Sequence, residues 1–315
     1  PFGHAQSPIN IITKPSSPFA PQMMDNTELF VANPLRFNYP PLVSNCSVIN
    51  NGHTVQMNMP DTKKQCSLFV RNKLYKLRHV HFHTPSEHTI DGKQYEMEMH
   101  LIHINEEHEM AVLAFIFSTK QLYKKPALQL SKSRQHLVLQ KEPKTMAGNK
   151  KKGQLYVSSV KEAEEVSGDE SEDMETDDEE ESDECKQQQQ QRGNDFLQQF
   201  WNELPVNRTE KEMRLNKPIS FDYLFETSSN NFSKNVETNQ MNIDMEIFEY
   251  MGSLTIPPYT EGVQWLVSKS LHYINEQQLE KLRSCWNYEN NARPTQGYYG
   301  RSVQLRSQSS FLSLQ

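Results

Sequence analysis

The chain lacks any C-x-x-C pair, and its four cysteines (Cys46, Cys66, Cys185 and Cys285) are widely spaced. That excludes a dense disulfide framework and argues against a cysteine zinc finger. Cys46 and Cys66 could pair only if their strands were neighbours. Long apolar runs are missing too. The longest, Met110 to Phe117, falls far short of the roughly 20 residues a spanning helix needs. Neither end carries a charged-then-apolar signal pattern. The expectation is a mature or trimmed chain, soluble and either cytoplasmic or secreted, with no membrane segment. Internal repeats and EF-hand spacing are absent, so any calcium affinity is expected to be weak. No nucleic-acid partner is expected.

Basic residues are absent between Asp169 and Glu184, where twelve carboxylates stand together; without them the formal charge of −7 becomes +5. The acidity therefore belongs to one segment rather than to the folded part. From about Ser131 to Gly193 the text is polar, passing through Lys150-Lys151-Lys152, the acidic run and five glutamines, Gln187 to Gln191. Too few apolar groups are present to offset the entropy of ordering it, so residues 131–193 are expected to be a disordered low-complexity insertion. Its carboxylates offer a surface for a basic partner.

What is present is strand-like text from Pro8 to Phe117. Apolar and polar residues alternate, and Asn51-Gly52 and Asp91-Gly92 are turn signals. Val48 to Met59, Ser67 to Phe82, Glu96 to Ile104 and Met110 to Phe117 are the expected strands. Asp195 to Leu204 shows helical spacing. Thr227 to Asn242 reads as a soft, Asn- and Ser-rich patch, followed by a strand over Gly262 to Ser268. Asn275 to Cys285 reads as a short amphipathic helix.

The stretch Arg78-His79-Val80-His81-Phe82-His83 carries chemistry. Side chains alternate faces along a strand, so His79, His81 and His83 point one way while Val80 and Phe82 bury on the other. In Glu96 to His103 the same alternation gives Glu98, His100 and Ile102 a shared face. If the two strands lie side by side with those faces matched, three imidazoles converge. Three histidines without a fourth protein ligand form a catalytic zinc pattern, because the open position admits water or substrate. Copper or iron could use the same ligands, and spacing alone does not choose. Glu98 is placed to accept the other ring N–H of a ligand histidine and set its tautomer.

With that cluster in view, ordered motifs run nearly end to end. They are Gln6-Ser7-Pro8-Ile9-Asn10-Ile11, Asn50-Asn51-Gly52-His53, Thr84-Pro85-Ser86-Glu87-His88-Thr89, His100-Leu101-Ile102-His103 and Ala111-Val112-Leu113. Gly252-Ser253-Leu254-Thr255, Pro257-Pro258, Glu261-Gly262-Val263-Gln264-Trp265 and Asn291-Ala292-Arg293-Pro294 complete the set. On these residues the chain resembles an α-class carbonic anhydrase interrupted by the insertion. The resemblance implies one domain over residues 1–315, of α/β but mainly β class. Its core would be a large, mostly antiparallel, twisted central sheet with short peripheral helices.

The same resemblance implies reversible hydration of CO2 to bicarbonate by zinc-bound hydroxide. Zn2+ would be held by His81, His83 and His100. Thr255 would orient the hydroxide, Glu87 would orient Thr255, and His53 would be the proton shuttle. Asn51, Gln56 and His79 would line the polar side of the cleft. Ile102, Val112, Leu254, Val263 and Trp265 would form the apolar wall for CO2. Sulfonamide-type inhibitors are expected ligands. Some chains depart from activity within this fold, so a non-catalytic binding or adhesion module is the alternative.

Three departures stand out. His79 replaces a glutamine that commonly supports the first zinc histidine; an imidazole there can still bond the His81 ring, with a shift in metal affinity. Ile256 replaces a threonine beside Thr255, removing a hydroxyl from the bicarbonate site. Tyr259 stands where many secreted members carry a disulfide cysteine, so that bridge is expected to be absent.

Overall fold

The computed structural model describes residues 3–13, 35–62, 65–120, 193–228, 232–235, 238, 240–243, 245–287 and 289–307. All belong to one of the two units into which the chain divides, the one made of Pro1–Leu122 and Asp183–Gln315. Residues 131–192 of the expected insertion, and Cys185 with them, lie outside the described residues.

Sixteen strands are described. They are β1 (Asn10–Ile11), β2 (Arg36–Asn38), β3 (Ser47–Asn50), β4 (Val55–Asn58), β5 (Ser67–Val70), β6 (Lys73–His83), β7 (Thr89–Ile90) and β8 (Met97–Ile104). There follow β9 (Met110–Ser118), β10 (Met213–Arg214), β11 (Phe232–Lys234), β12 (Gln240–Ile243), β13 (Glu246–Ser253), β14 (Glu261–Ser268), β15 (His272–Tyr273) and β16 (Gln304–Ser307). The main sheet runs β11-β12-β2-β5-β6-β8-β9-β14-β13-β16, and β4 joins it at β6. Its pairs are antiparallel except β9 with β14 and β9 with β15. Short helices at Asp195–Gln198, Asp222–Ser228 and Glu276–Ser284 accompany it. This is the large, mostly antiparallel sheet with few helices that the motifs implied.

Two expected strands prove to be hairpins. Val48 to Met59 folds back at Asn51–Thr54, where Gly52 takes φ 89°. Ser67 to Phe82 turns at Arg71 and Asn72, both left-handed at φ 49° and 60°. That two-residue turn is of the type whose backbone twist suits a hairpin. It contains no glycine, and asparagine's tolerance of this region is too weak a sequence signal to mark it. The soft patch over Thr227 to Asn242 contributes β11 and β12, which extend the sheet beyond β2.

The central strands are buried on both faces, and period-2 alternation sorts their side chains. Along β9, Ala111, Leu113, Phe115 and Phe117 enter one core, and Val112, Ala114 and Ile116 enter the other. Met97, Met99 and Leu101 of β8 join the first core, beside Val80 and Phe82 of β6 and Phe196, Phe200 and Trp201 of the segment after residue 193. Each such side chain contributes about 1.5–3 kcal/mol by leaving water. The histidine face of β6 and β8 is the opposite one. The helix Glu276–Ser284 begins at Asn275, whose side chain accepts from Gln278 N, and buries Leu279 and Leu282.

Cys46, Cys66 and Cys285 are free thiols buried in the core. Burial raises Cys46 to about 11 and pushes Cys66 up further still, so neither is a reactive thiolate near neutrality.

His103 sits on the core side of β8. Its Nδ1–H donates to Leu101 O at 2.9 Å, leaving Nε2 to accept from the Tyr39 hydroxyl at 2.6 Å. Burial pushes its pKa down from 6.5 to about 4. The folded value lies below the unfolded one, so the associated stability is whole above pH 6.5 and is lost as pH falls toward 4. Each pKa unit is worth about 1.4 kcal/mol, so the loss by pH 4 is on the order of 2–3 kcal/mol. Thermal melting from pH 7.5 to 4.5 should show this slope, and His103→Gln should flatten part of it.

Candidate metal centre

Register creates the site. β6 and β8 pair antiparallel with His81 opposite His100, His83 opposite Glu98 and His79 opposite Ile102. On one pleated face this brings three imidazoles together, with centroids 5.0 Å apart for His81–His83, 5.0 Å for His81–His100 and 4.7 Å for His83–His100. One nitrogen from each lies within 4.8 Å of the others.

The outer hydrogen bonds decide which nitrogens face inward. His83 Nδ1–H donates to the Asn291 carbonyl at 3.1 Å, and its Nε2 is buried with no partner. His100 Nε2–H donates to Glu98 Oε1 at 2.8 Å, which leaves Nδ1 as the lone pair. That Nδ1 lies 3.2 Å from His81 Nε2. A tetrahedral zinc with Zn–N of about 2.0–2.1 Å sets neighbouring nitrogens roughly 3.3 Å apart. The donor set therefore fits zinc: three imidazole nitrogens within 4.8 Å of one another, one pair at tetrahedral spacing and one an orphaned buried atom. Burial, then the neighbouring imidazoles, lowers His81 well below 6.5, and burial lowers His83. His81 and His83 are thus held free of protons at neutral pH, as ligands must be.

Glu98 is fully buried yet ionised. Burial alone would raise its pKa, but His88 and His100 beside it bring it well below the ordinary range. Its Oε1 takes His88 Nδ1–H at 2.7 Å and His100 Nε2–H, while Oε2 takes the backbone N–H of Glu87 at 2.9 Å and of His88 at 2.8 Å. Four donors satisfy a charge that burial would otherwise expel. His88 Nε2 in turn accepts from the Tyr250 hydroxyl at 2.7 Å, which lies 2.9 Å from Ser7 Oγ. Both His88 nitrogens are therefore engaged. The alternative cluster of His88, Glu98 and His100 is a hydrogen-bond network rather than a second ion site.

Trp265 of β14 lies edge-on to His88 and to His100, each at 4.9 Å, and its Nε1–H donates to Ser253 O at 3.0 Å. It locks the imidazoles as well as forming wall. Ile102, Val112, Val263 and Trp265 pack as one buried cluster with half-buried Leu254 against it. Ile256 stands apart, 59% exposed.

Glu87 is buried beside the trio. Its Oε1 accepts from Arg293 N at 2.9 Å, and its Oε2 is buried with no hydrogen-bond partner. Thr255 is also buried, on the loop after β13. The Thr255-to-Glu87 bond implied by the resemblance is therefore not made here, although the acceptor is open. Gln56 lies opposite His81 in the β4–β6 pair, and its amide donates to Asn58.

One expectation needs correction. His79 and His81 rings lie 5.4 Å apart at 35°, and among the described residues no hydrogen bond joins them, because the His81 Nε2 is turned toward His100. Asn51 opens the turn that carries His53. Its Oδ1 accepts from His53 N and Thr54 N, each at 2.9 Å, and so closes the turn. His53 itself is exposed on that turn. Residue patterns missed His88, Tyr250, Ser7 and Asn291 as supports, since the contacts named here span up to 243 positions along the chain. The family motifs contained His88, Ser7 and Asn291, but not Tyr250.

Among the described residues no helix is long and apolar enough to cross a membrane. A sequence model described as Eukaryotic-type carbonic anhydrase matches residues 2–157 and 185–307. A carbonic anhydrase of Neisseria gonorrhoeae is 27% identical over 269 residues, 85% of this chain and 69% of that protein. Dioscorin dioA3 of Dioscorea japonica is 24% identical over 287 residues, 90% of this chain and 72% of that protein. Among solved structures, the α-carbonic anhydrase of Thermovibrio ammonificans with the inhibitor sulfanilamide superposes with a TM-score of 0.58 at 22% identity, covering 96% of this chain and 87% of that one. The family motifs, the sheet and the match over most of the sequence agree: this chain belongs to the eukaryotic-type carbonic anhydrase family.

Proposed function

We propose that this chain is a zinc enzyme that interconverts CO2 with bicarbonate and a proton, its metal held by His81 Nε2, His83 Nε2 and His100 Nδ1. One observation carries the reading. One nitrogen from each of three imidazoles lies within 4.8 Å of the other two, the distal nitrogens of His83 and His100 being tied off by Asn291 and Glu98. Zinc so held supplies the Lewis acidity that makes water a nucleophile at neutral pH, a property taken from carbonic anhydrases themselves.

The chain's own groups then divide the work. Glu87 Oε2 is an open acceptor for the Thr255 hydroxyl. With its hydrogen so committed, the Thr255 oxygen accepts from the attacking water and turns that water's lone pair toward carbon. The wall of Ile102, Val112, Leu254, Val263 and Trp265 suits apolar, linear CO2. Ile256 presents no hydroxyl to the product. His53 takes the released proton outward. Glu98 keeps His100 in the ligating tautomer, while Gln56, His79 and the remaining amide of Asn51 give the cleft its polar side. Sulfonamides, which occupy the solved relatives named for sulfanilamide and acetazolamide, are proposed ligands of the same centre. We further propose one catalytic domain interrupted by residues 131–193, whose carboxylates serve a basic partner.

A second reading is a binding module without turnover. It draws on the likeness to dioscorin, solved with ascorbate. Metal analysis together with a CO2 hydration assay separates the two. The expected result is one zinc per chain and turnover inhibited by acetazolamide. A folded, zinc-free and inert protein would leave the binding module standing.

A further inference from the structure

Asn291 joins two parts of the site through one side chain. Its backbone carbonyl takes His83 Nδ1–H, and its Oδ1 accepts from Thr84 N at 2.8 Å. Its Nδ2 donates to the Phe82 carbonyl at 3.1 Å and to the His53 carbonyl at 2.8 Å. Phe82 lies between ligands His81 and His83 on β6, and His53 lies on the turn between β3 and β4. Thr54 reaches the same strand: its hydroxyl donates to Phe82 O at 2.6 Å and accepts from Phe82 N at 3.2 Å. The turn is thus clipped to the ligand strand at Phe82 from two sides.

Only a primary amide offers two donors and one acceptor in a plane without charge. Asp could serve Thr84 N but not the two carbonyls, and Ala could serve none. The Asn51 bonds close the turn upon itself but do not tie it to β6. The exposed His53 ring has no tether of its own among the described residues, so the backbone anchor sets how far it strays.

We infer that the Asn291 side chain is a positioning residue for proton export, holding the His53 turn in place against the strand that carries His81 and His83. The inference rests on the reading of His53 as shuttle. A misplacement of about 1 Å can cost on the order of 100-fold in a transfer step, so a loosened turn should slow proton export without touching attack on CO2.

The test compares wild type, Asn291→Asp and Asn291→Ala as zinc-loaded proteins. Zinc stoichiometry should hold, since the acceptor for His83 is the backbone carbonyl. Amide hydrogen exchange at residues 51–54 should quicken. The kcat should fall about tenfold, part of the roughly 100-fold or more that a positioned acid–base group supplies, with kcat/KM kept and imidazole buffer restoring the loss. In a His53→Ala background, either Asn291 substitution should cause no further fall in kcat, because two residues acting through one step are not additive. Unchanged exchange at 51–54, a parallel fall in kcat and kcat/KM, or an additive loss in that background would each overturn the inference. An inert wild type would refute the hydration reading instead, and the exchange data would still decide whether Asn291 holds the turn.

Discussion

His100→Ala is expected to release zinc and abolish CO2 hydration together, leaving a folded protein. The trio supplies three nitrogens within 4.8 Å, and two remaining imidazoles cannot close a three-ligand site. No neighbour can substitute: Glu98 still holds three donors, and His88 uses both nitrogens. The fold should survive because Glu98 keeps His88 and two backbone N–H groups after the loss. What goes is the packing of the imidazole against Trp265 and one charge-assisted bond. Together these are worth about 2–4 kcal/mol, as for other buried truncations. Metal content by elemental analysis, near-ultraviolet circular dichroism and a hydration assay read the three consequences separately. Retained zinc with retained turnover would remove His100 from the ligand set.

The periodicity of the sequence made the essential part of this site legible. Alternation alone places His79, His81 and His83 on one face and Val80 and Phe82 on the other, and the buried sides of β6 bear that out. It could not supply register. That His81 faces His100, rather than a residue two places away, depends on the pairing of β6 with β8 and on the irregularity between Leu77 and His79. Nor could it supply long-range partners: Asn291 and Tyr250 reach the imidazole layer from more than 150 residues away. Asn51 shows the limit of local reading: its Oδ1 closes its own turn, a familiar use of asparagine, and only its amide is left for the cleft. The Arg71–Asn72 turn was hidden for the opposite reason, since neither residue is glycine and strand-like text continues on both sides. Family motifs carried the rest, and they carried roles rather than contacts.

His53→Ala should leave zinc in place and slow turnover by about 100-fold, the usual worth of a positioned acid–base group. The residue sits on the exposed turn of the β3–β4 hairpin, and β4 runs beside β6 with Gln56 opposite His81. The turn therefore lies beside the His81–His83 end of β6, to which Thr54 is bonded at Phe82. Hydration and proton export are separate events, and only the second involves this ring. The kcat/KM, which reports steps up to bicarbonate release, should change little, whereas kcat should fall. Imidazole is the side-chain group whose ordinary pKa lies in the physiological range, so imidazole added as buffer should restore a large part of kcat in the variant and little in wild type. A variant as fast as wild type, or one deaf to imidazole, would move the proton route away from His53 and toward water reaching the centre directly.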